Sequence, residues 1–452
     1  MLRAFLLVVV ICGLGCDDEG ASPDHAVSAE AWADALARME ALERDLAAAQ
    51  DALSAVEASQ AAAGMQLTDL AAADAAATAR LNTLEARDVA LLIDEPLTMD
   101  VPADHDTLAD AMDWLQDKVL AARVTIRIAD GTYMHTEGIN LGHRDGARIR
   151  IEGNNDDPST VVLAFDGAED GLYLTRGGVI DGISGFTLRG AGEMDTSVGL
   201  YVGEGSVLRC RGPIVVERFA EGVMANYGSS LRCDGLVSQQ NRFDGVVATR
   251  SSILRAYGAT VRDNGGNGFQ ANYGSVIDAR EAQSIDNGSE QWHAGFSARL
   301  GSVVEARAAR STGGSGSGFA ANGASSVSAS GATASGNGRA GWDVTGASYG
   351  EATNGATSMG NQSGLRAMDT SSLVTWGGVT VTANTSAGVD VGGNSSVDLQ
   401  GATIRENLGD FGVNSFWGSF VHVGGATIAG HRYDTNMTPS TEGARNADVY
   451  TY

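Results

Sequence analysis

The sequence predicts a mainly β protein, a parallel β-helix with coils of about 23 residues, preceded by a long α-helical coiled coil. Three columns of residues recur in phase along the second half of the chain, at a spacing near 23. Glycine is abundant at 60 of 452 residues whereas proline numbers six, which is typical of many tight turns between short strands. Over residues 32–84 the chain is instead rich in alanine, with apolar residues at every third or fourth position.

The N-terminus resembles a bacterial lipoprotein signal. Arg3 precedes an apolar run over 4–11, and Gly15 stands directly before Cys16. The resemblance implies that residues 1–15 are removed, that Cys16 is lipidated, and that 16–31 form a flexible tether. The protein would then lie in the bacterial cell envelope, periplasmic or at the cell surface, with the lipid as its only membrane contact. Ordinary secretion with a free N-terminus is the alternative.

Residues 32–90 are predicted to form a coiled-coil stalk. Their apolar positions repeat with heptad spacing, which indicates helices that pack together along a seam. At 1.5 Å per residue, a helix over 32–84 is about 80 Å long. The alternative is a single helix folded back on its own chain. Gln60 and Asp74 interrupt a seam formed by Trp32, Ala35, Met39, Leu42, Leu46, Ala49, Leu53, Val56, Ala63, Leu67, Leu70, Ala77, Leu81 and Leu84.

The repeat over 91–434 is defined by three columns. Apolar residues follow glycine-led segments with successive spacings of 23, 23, 23, 27, 23, 23, 23, 24 and 24. Asparagine fills a second column except where Gly314 interrupts it, and serine at a turn fills a third. The members are Leu200, Val223, Val246, Phe269, Phe296, Phe319, Trp342, Leu365, Val389 and Val413; Asn241, Asn264, Asn287, Asn337, Asn361, Asn384 and Asn407; and Ser206, Ser230, Ser252, Ser275, Ser302, Ser326, Ser372, Ser396 and Ser419.

A parallel β-helix explains this period better than a helical repeat does. Helical hairpins need more residues, and the leucine signature of leucine-rich repeats is absent. Short β-branched pieces between glycines, such as 206–208 and 427–428, are typical of strands. Equivalent residues of successive coils then stack about 4.8 Å apart. We therefore expect the apolar column to line the core and the asparagines to form a structural ladder at one bend.

The entry into the repeat resembles the right-handed parallel β-helix, or pectin-lyase-like, family, and phage tail-spikes in particular. The resemblance lies in Val101–Asp104, in an amphipathic stretch over 107–121 and in the β-rich segment 124–133. It implies a capping helix over 107–121, with Thr107 as its N-cap, that covers the open first coil. It also implies a homo-oligomer through the stalk, with a trimer favoured over a dimer. Residues 435–452 would form a C-terminal tail.

The charge composition excludes nucleic acid as a partner. Thirty basic and 56 acidic residues give a formal net charge of −26, and Lys118 is the only lysine. Binding to a polyanion releases counterions through a cationic surface, for which this chain lacks the charge. The seven histidines and four cysteines show no metal-binding spacing. We therefore expect neither a metal nor a cofactor.

Two acidic residues are candidate catalytic groups. Asp263 and Asp286 precede ladder asparagines in successive coils, so we expect them about 5 Å apart, the separation of carboxylates in a retaining glycosidase. They would act as acid and nucleophile if the chain degrades a polysaccharide, as a glycoside hydrolase or lyase of the pectin-lyase-like superfamily. The acid, histidine and basic clusters of pectinolytic members are not matched. The alternative is a solvated acidic column beside the ladder.

Two further features are candidate ligand-binding surfaces. Arg209, Arg232 and Arg255 alternate with inward leucines, so they should point outward in a row that can grip carboxylate or sulfate groups of sugars. Asp278 and Glu305 continue this column, so a salt-bridged face is the alternative. The longest coil should extrude a loop around 289–293 with Trp292 and His293, where sugars can stack on the exposed ring unless Trp292 covers its own loop.

Cys210 and Cys233 should stack in neighbouring coils, because they lie one repeat apart in one inward column. We expect two buried, unbridged thiols, since in-register parallel neighbours point the same way and suit the S–S torsion poorly. A disulfide is the alternative that an oxidising envelope compartment allows.

For the whole chain we expect a surface-tethered, non-catalytic β-helix that binds an extracellular polysaccharide or an envelope surface. A polysaccharide-degrading enzyme is the alternative.

Overall fold

The computed structural model describes residues 29–86, 91–167, 170–192, 196–431, 433–437 and 448–450. The predicted signal peptide over 1–15, the lipidation site Cys16 and most of the tether over 16–31 lie outside these ranges. The chain divides into a helical unit that ends at Val89 and a β unit that begins at Ala90. Within the described ranges, no helix is both long and apolar enough to cross a bilayer.

Helix α1 spans Ala29–Ala86 without interruption, over 58 residues. At 1.5 Å per residue it is about 87 Å long, and its continuity excludes a fold-back within this segment. In the single chain, many of its large apolar side chains are exposed, so the pairing of stalk helices remains a prediction. The exposed side chains are Leu36, Leu42, Leu46, Leu53, Val56, Met65, Leu67 and Leu70.

The described part of the β unit contains three long parallel sheets and one two-stranded sheet, and consecutive strands of the chain belong to different sheets. Sheet 1 has 15 strands, and sheets 2 and 3 have 13 each. Each interior strand pairs with the strands one coil before and one coil after it. The chain therefore winds as a parallel β-helix, which confirms the predicted fold.

Sheet 1 contains Leu97–Val101, Val124–Ile128, Ile149–Glu152, Val179–Ser184, Val207–Cys210, Ser230–Arg232, Ile253–Arg255, Val276–Asp278, Val303–Glu305, Ser326–Ser328, Tyr349–Glu351, Ser372–Val374, Ser396–Asp398, Phe420–His422 and Asp448–Tyr450. Sheet 2 contains Gly131–His135, Val161–Phe165, Phe186–Gly190, Ile214–Glu217, Val237–Gln239, Thr260–Arg262, Gln283–Ile285, Arg310–Thr312, Thr333–Ser335, Thr357–Met359, Thr380–Thr382, Thr403–Arg405 and Thr427–Ala429. Sheet 3 contains Ile139–Asn140, Asp170–Leu174, Val198–Val202, Glu221–Ala225, Val246–Ala248, Phe269–Ala271, Ala294–Arg299, Ser317–Asn322, Ala340–Thr345, Ser363–Ala367, Val389–Val391, Phe411–Ser415 and Tyr433–Met437.

The predicted apolar column runs along sheet 3 and is in register from residue 200 to residue 413. All its members are fully buried in the core. Phe269, Phe296, Phe319 and Trp342 form a stack whose ring centroids lie 4.7, 5.0 and 4.8 Å apart. These separations match the spacing of the coils, so the backbone itself brings the rings into contact.

The asparagine ladder lies at the bend between sheets 2 and 3. The backbone N–H and the side-chain Nδ2 of Asn241 both donate to Oδ1 of Asn264, each at 2.9 Å. This pattern continues to Asn287, stops at Gly314, and resumes from Asn337 through Asn361, Asn384 and Asn407. Each amide therefore satisfies buried backbone N–H groups of the preceding coil, which would otherwise destabilise the bend.

A serine ladder lies at the bend between sheets 3 and 1; it contains the predicted Ser252, Ser275 and Ser302 but is shifted by one residue at four other predicted positions. In it, the backbone N–H of each serine donates to the hydroxyl of the next at 3.1–3.2 Å. Ser230, Ser326, Ser372 and Ser396 begin sheet 1 strands instead. Adjacent serines made the register ambiguous in the sequence. The ladder runs through Ser229, Ser252, Ser275, Ser302, Ser325, Ser348, Ser371 and Ser395.

The capping helix, α2, spans Leu108–Leu115 and is shorter than the predicted 107–121. The Thr107 hydroxyl accepts from the Asp110 N–H at 3.2 Å, as an N-cap does. Val119–Leu120 does not continue the helix, because it pairs as a short parallel strand with Leu92–Ile93.

At the other end of the β unit, the strands Tyr433–Met437 and Asp448–Tyr450 extend sheets 3 and 1 beyond residue 434. The described part of the predicted tail over 435–452 therefore belongs to the β-helix.

Cys210 and Cys233 are joined by a disulfide, so the expectation of unbridged thiols was wrong. Their Cα atoms lie 4.6 Å apart, within the range of disulfides. Strand pairing ends one residue earlier, at Arg209 and Arg232. Because Cys233 lies in the bend after its strand, the parallel ladder does not fix both side chains in one direction.

Candidate functional site

The extra residues of the long coil lie at the bend between sheets 2 and 3. Thr260 pairs with Gln283 at the ordinary spacing of the repeat, whereas Phe269 pairs with Phe296 at a wider spacing. The chain between these pairs therefore carries four additional residues. We call residues 288–293 the Trp292 loop.

The Trp292 loop is tied to the coils beneath it. The Ser289 N–H donates to the Gly265 carbonyl at 2.8 Å. Nη2 of Arg299 donates to the Trp292 carbonyl at 2.9 Å, and Nδ1 of His293 accepts from the Glu290 N–H at 3.3 Å. Trp292 is 63% exposed, so much of its ring faces solvent, while the ring also contacts His293 of the loop at 5.7 Å between centroids.

Two carboxyl groups lie in equivalent positions of successive coils at the start of sheet 3. Glu221 begins the strand Glu221–Ala225, and Asp244 precedes the strand Val246–Ala248. The Asp244 N–H donates to Oε2 of Glu221 at 3.0 Å. Asp244 is only 7% exposed, and its carboxylate accepts from Asn267 Nδ2 at 2.9 Å and from Gln270 Nε2 at 2.6 Å.

Burial raises the pKa of both carboxyl groups. Loss of solvation, reinforced by the neighbouring Asp244 charge, raises the pKa of Glu221 to about 9. Burial also raises the pKa of Asp244, although its hydrogen bonds from Asn267 oppose the shift. Since two close carboxylates resist ionising together, the pair retains a proton at neutral pH.

His293 connects the Trp292 loop electrostatically to the acid pair. Burial lowers the pKa of His293, against the opposing attraction of Asp244. At neutral pH the His293 imidazole is therefore largely uncharged. The positive charge of Arg299 favours the ionised form of Asp244, although burial dominates the shift of its pKa. A protonated carboxyl group and a neutral imidazole at one site are groups suited to general acid–base chemistry.

Among the residues that the structure describes, no group of three or more His, Cys, Asp or Glu side chains is arranged to hold a metal ion.

The sequence-predicted acids Asp263 and Asp286 lie elsewhere in the fold, at the bend that follows sheet 2. Both are exposed, beside the asparagine ladder. Asp263 has a charged neighbour in Arg262, 3.5 Å away. Neither residue belongs to the buried pair at the start of sheet 3.

The arginine column lies on the outer face of sheet 1, with Arg209, Arg232 and Arg255 in register. The guanidinium of Arg232 lies 2.7 Å from Asp234, and that of Arg255 lies 3.0 Å from the same carboxylate. Asp278 follows Arg255 in the column and binds Arg280 at 2.7 Å. Arg232 and Arg255 therefore take part in a salt-bridged face, the alternative that the sequence had left open.

The Glu221 and Asp244 pair was missed by the sequence analysis. A signal for it exists, because Glu221-Gly222 and Asp244-Gly245 are acid–glycine pairs one repeat apart, each preceding a core residue. Glycine is needed there because a Cβ at Gly222 would collide with the Ser238 hydroxyl and the Gly245 carbonyl, and a Cβ at Gly245 with the Val261 side chain. The repeat thus places both acids in one column, but their burial depends on packing around them.

The chain is similar to several solved structures. The A-module of the mannuronan C-5 epimerase AlgE4 from Azotobacter vinelandii is 14% identical, with a TM-score of 0.46, over 77% of this chain and 96% of that one. A thermostable GH87 α-1,3-glucanase from Streptomyces thermodiastaticus is 13% identical, with a TM-score of 0.37, over 75% and 64%. Tailspike protein 3 of bacteriophage CBA120 is 12% identical, with a TM-score of 0.34, over 71% and 55%.

No protein-family model and no curated protein matches the chain. At such identities and TM-scores, the three structures transfer no activity to it.

Proposed function

We propose that this protein is an envelope-tethered β-helix that binds an extracellular polysaccharide along sheet 3. The observation that carries the proposal is the Trp292 loop, an insertion held by hydrogen bonds that presents its indole ring to solvent. An exposed aromatic ring on a fixed loop offers a flat apolar surface for a sugar. Rigid support lowers the entropy lost on binding.

Exposed tyrosines at the opposite end of the sheet 3 strands from the Trp292 loop support the same proposal. Tyr227 follows the strand Glu221–Ala225, and Tyr273 follows Phe269–Ala271 two coils later. Two coils separate equivalent residues by about 9.6 Å, a spacing comparable to two sugar units of a chain. Between them, the Arg250 guanidinium lies 4.6 Å from the ring centroid of Tyr227. Such a row suits a repeating ligand that runs along the axis.

Tethering is the second part of the proposal. Lipidated Cys16 would hold the protein in the bacterial cell envelope, and α1 would join several copies of the chain. Several identical binding faces on one assembly raise the overall affinity for a polymer, because later contacts form intramolecularly. Modest affinity at each site would then suffice.

Binding is tested by measuring retention of the protein on immobilised neutral and acidic polysaccharides. Trp292→Ala should weaken retention by about tenfold, if stacking contributes about 1–2 kcal/mol. Trp376→Ala is the matched control, because that residue is 56% exposed but follows a sheet 1 strand, outside sheet 3 and the Trp292 loop. Equal retention of both variants and the parent would overturn the proposal.

A polysaccharide-degrading enzyme is the second candidate, favoured by the buried acid pair. The protonated carboxyl group of Glu221 could donate to a leaving oxygen, with Asp244 or His293 as the partner base. New reducing ends or unsaturated uronates in the same polysaccharide panel would favour this candidate over non-catalytic binding. They should disappear in Glu221→Gln and Asp244→Asn, whereas Asp263→Asn and Asp286→Asn should retain activity.

A further inference from the structure

A cavity of about 580 Å³ lies near the first coils, several coils away from the Trp292 loop. Its walls come from the end of α2 with Gln116, from the segment 140–147, and from the sheet 3 strand with Tyr173 and the turn that follows it. The volume falls within the range of small-molecule sites. No residue of this cavity takes part in the proposed polysaccharide site.

The charge of the cavity is opposite to that of the protein. Arg144 and Arg176 line it, and none of its lining residues is acidic. In a chain with 56 acidic and 30 basic residues, a random surface would be expected to contain more acids than bases. A local excess of arginine therefore indicates a site for an anion.

Hydrogen bonds hold much of the wall in place. Nη2 of Arg144 donates to the Lys118 carbonyl at 2.9 Å, and Nε2 of Gln116 donates to the Gly142 carbonyl at 3.0 Å. Oδ1 of Asn140 accepts from the Gly142 N–H at 2.9 Å, which leaves its amide nitrogen to donate. Arg144 and Asn140 thus present donors from fixed positions.

The nearest carboxylates offset only part of this charge. Asp145 pairs with Arg144 at 3.6 Å and also accepts from the Leu120 N–H at 3.0 Å. Glu204 accepts from the backbone N–H of Arg176 at 3.1 Å. Within the described ranges, no carboxylate is within ion-pair distance of the Arg176 guanidinium. His143 uses both ring nitrogens in hydrogen bonds with its surroundings, which gives it a structural role.

We propose that this cavity binds one carboxylated sugar unit, such as a uronate at the end of an acidic glycan. The guanidinium groups of Arg144 and Arg176 would bind the carboxylate through charge-assisted hydrogen bonds. Asn140 and Gln116 would contact hydroxyl groups, and the half-buried ring of Tyr173 would pack against the apolar face of the sugar. An inorganic anion would use the arginines but gain nothing from Tyr173.

Isothermal titration of the full-length protein with trigalacturonate, galactotriose and inorganic sulfate tests this site. Trigalacturonate should bind, and Arg144→Gln and Arg176→Gln should each weaken it about tenfold, as expected for one charged hydrogen bond. Tyr173→Ala should weaken the binding of trigalacturonate but not the binding of sulfate. Arg148→Gln, an exposed neighbour outside the cavity, should leave binding unchanged.

The proposal is overturned if trigalacturonate does not bind, if sulfate binds as tightly, or if Arg148→Gln has the same effect as the cavity variants. Trp292→Ala separates this site from the proposed function. It should reduce retention on polysaccharides without changing titration of the cavity, so that either site can fail independently.

Discussion

At the residue scale, polar side chains at the bends determine much of the chemistry of this β-helix. In the asparagine and serine ladders, side-chain oxygens accept hydrogen bonds from backbone N–H groups that lie outside the strand pairing. Glu221 and Asp244 occupy a comparable bend position with carboxyl groups, whose burial is costly unless a proton stays bound. Polar positions next to the bends can therefore stabilise the fold or hold reactive groups, depending on the residue type.

Glu221 should make stability depend on pH. In the unfolded chain its carboxyl group loses its proton above about pH 4.3, whereas in the fold its pKa is raised to about 9 by burial and by Asp244. The folded state binds more protons between these values, so the free energy of unfolding should fall as pH rises through that window. Thermal melts of Glu221→Gln should show a weaker fall than the parent.

Glu290→Gln, on the exposed Trp292 loop, is the control for this prediction and should retain the pH dependence of the parent. Identical pH profiles for Glu221→Gln and the parent would contradict the raised pKa.

Asn361 should contribute strongly to stability. Its Oδ1 accepts from the backbone and side-chain nitrogens of Asn337, and its Nδ2 donates to the Ala334 carbonyl at 3.1 Å. Asn361→Ala would leave the buried backbone N–H of Asn337 without its acceptor and its Nδ2 with only the Ser311 carbonyl, at a cost of about 2–3 kcal/mol. Denaturant unfolding should show this loss, whereas Gln362→Ala, exposed in the same bend, should change stability by less than about 0.5 kcal/mol.

At the element scale, the strands could be predicted because the core column fixes their register. A shift by one residue would turn Phe296 and its neighbours out of the core. The end of α2 was less predictable, since Val119 fits an apolar helical face and a strand equally well, and only pairing with Leu92–Ile93 decides between them. The burial of Glu221 and Asp244 depends on packing between several coils, and no local sequence pattern predicts that packing.

Phe296 is expected to couple the coils on either side of the Trp292 loop. Its ring contacts those of Phe269 and Phe319, at 4.7 and 5.0 Å between centroids, and is fully buried. Phe296→Ala would open a cavity in this stack and lower the free energy of unfolding by about 3–5 kcal/mol. Phe296→Leu should cost less, and Phe420→Ala, at a residue that is 42% exposed, should also cost less than Phe296→Ala. Equal losses for Phe296→Ala and Phe420→Ala would argue against a continuous aromatic core.

At the scale of the whole molecule, attachment is expected through Cys16. The parent expressed with its signal should partition into detergent, because a lipid on that cysteine adds a large apolar surface. Cys16→Ser should partition into the aqueous phase. Equal partitioning of the two proteins would refute lipidation.

Association of the chain should depend on α1. Burial of its exposed leucines requires a second helix, and the heptad spacing supplies a seam at which identical chains can pack. Sedimentation of residues 17–452 should therefore give two or three times the monomer mass, with three favoured. Leu46→Glu combined with Leu53→Glu should yield monomers, since each substitution places a charge in the seam. Leu36→Glu should stay assembled, because Leu36 is 51% exposed, close to the 50% of Leu46, but lies outside the seam. A monomeric parent at micromolar concentration would refute the coiled coil and, with it, the multivalent display of sheet 3.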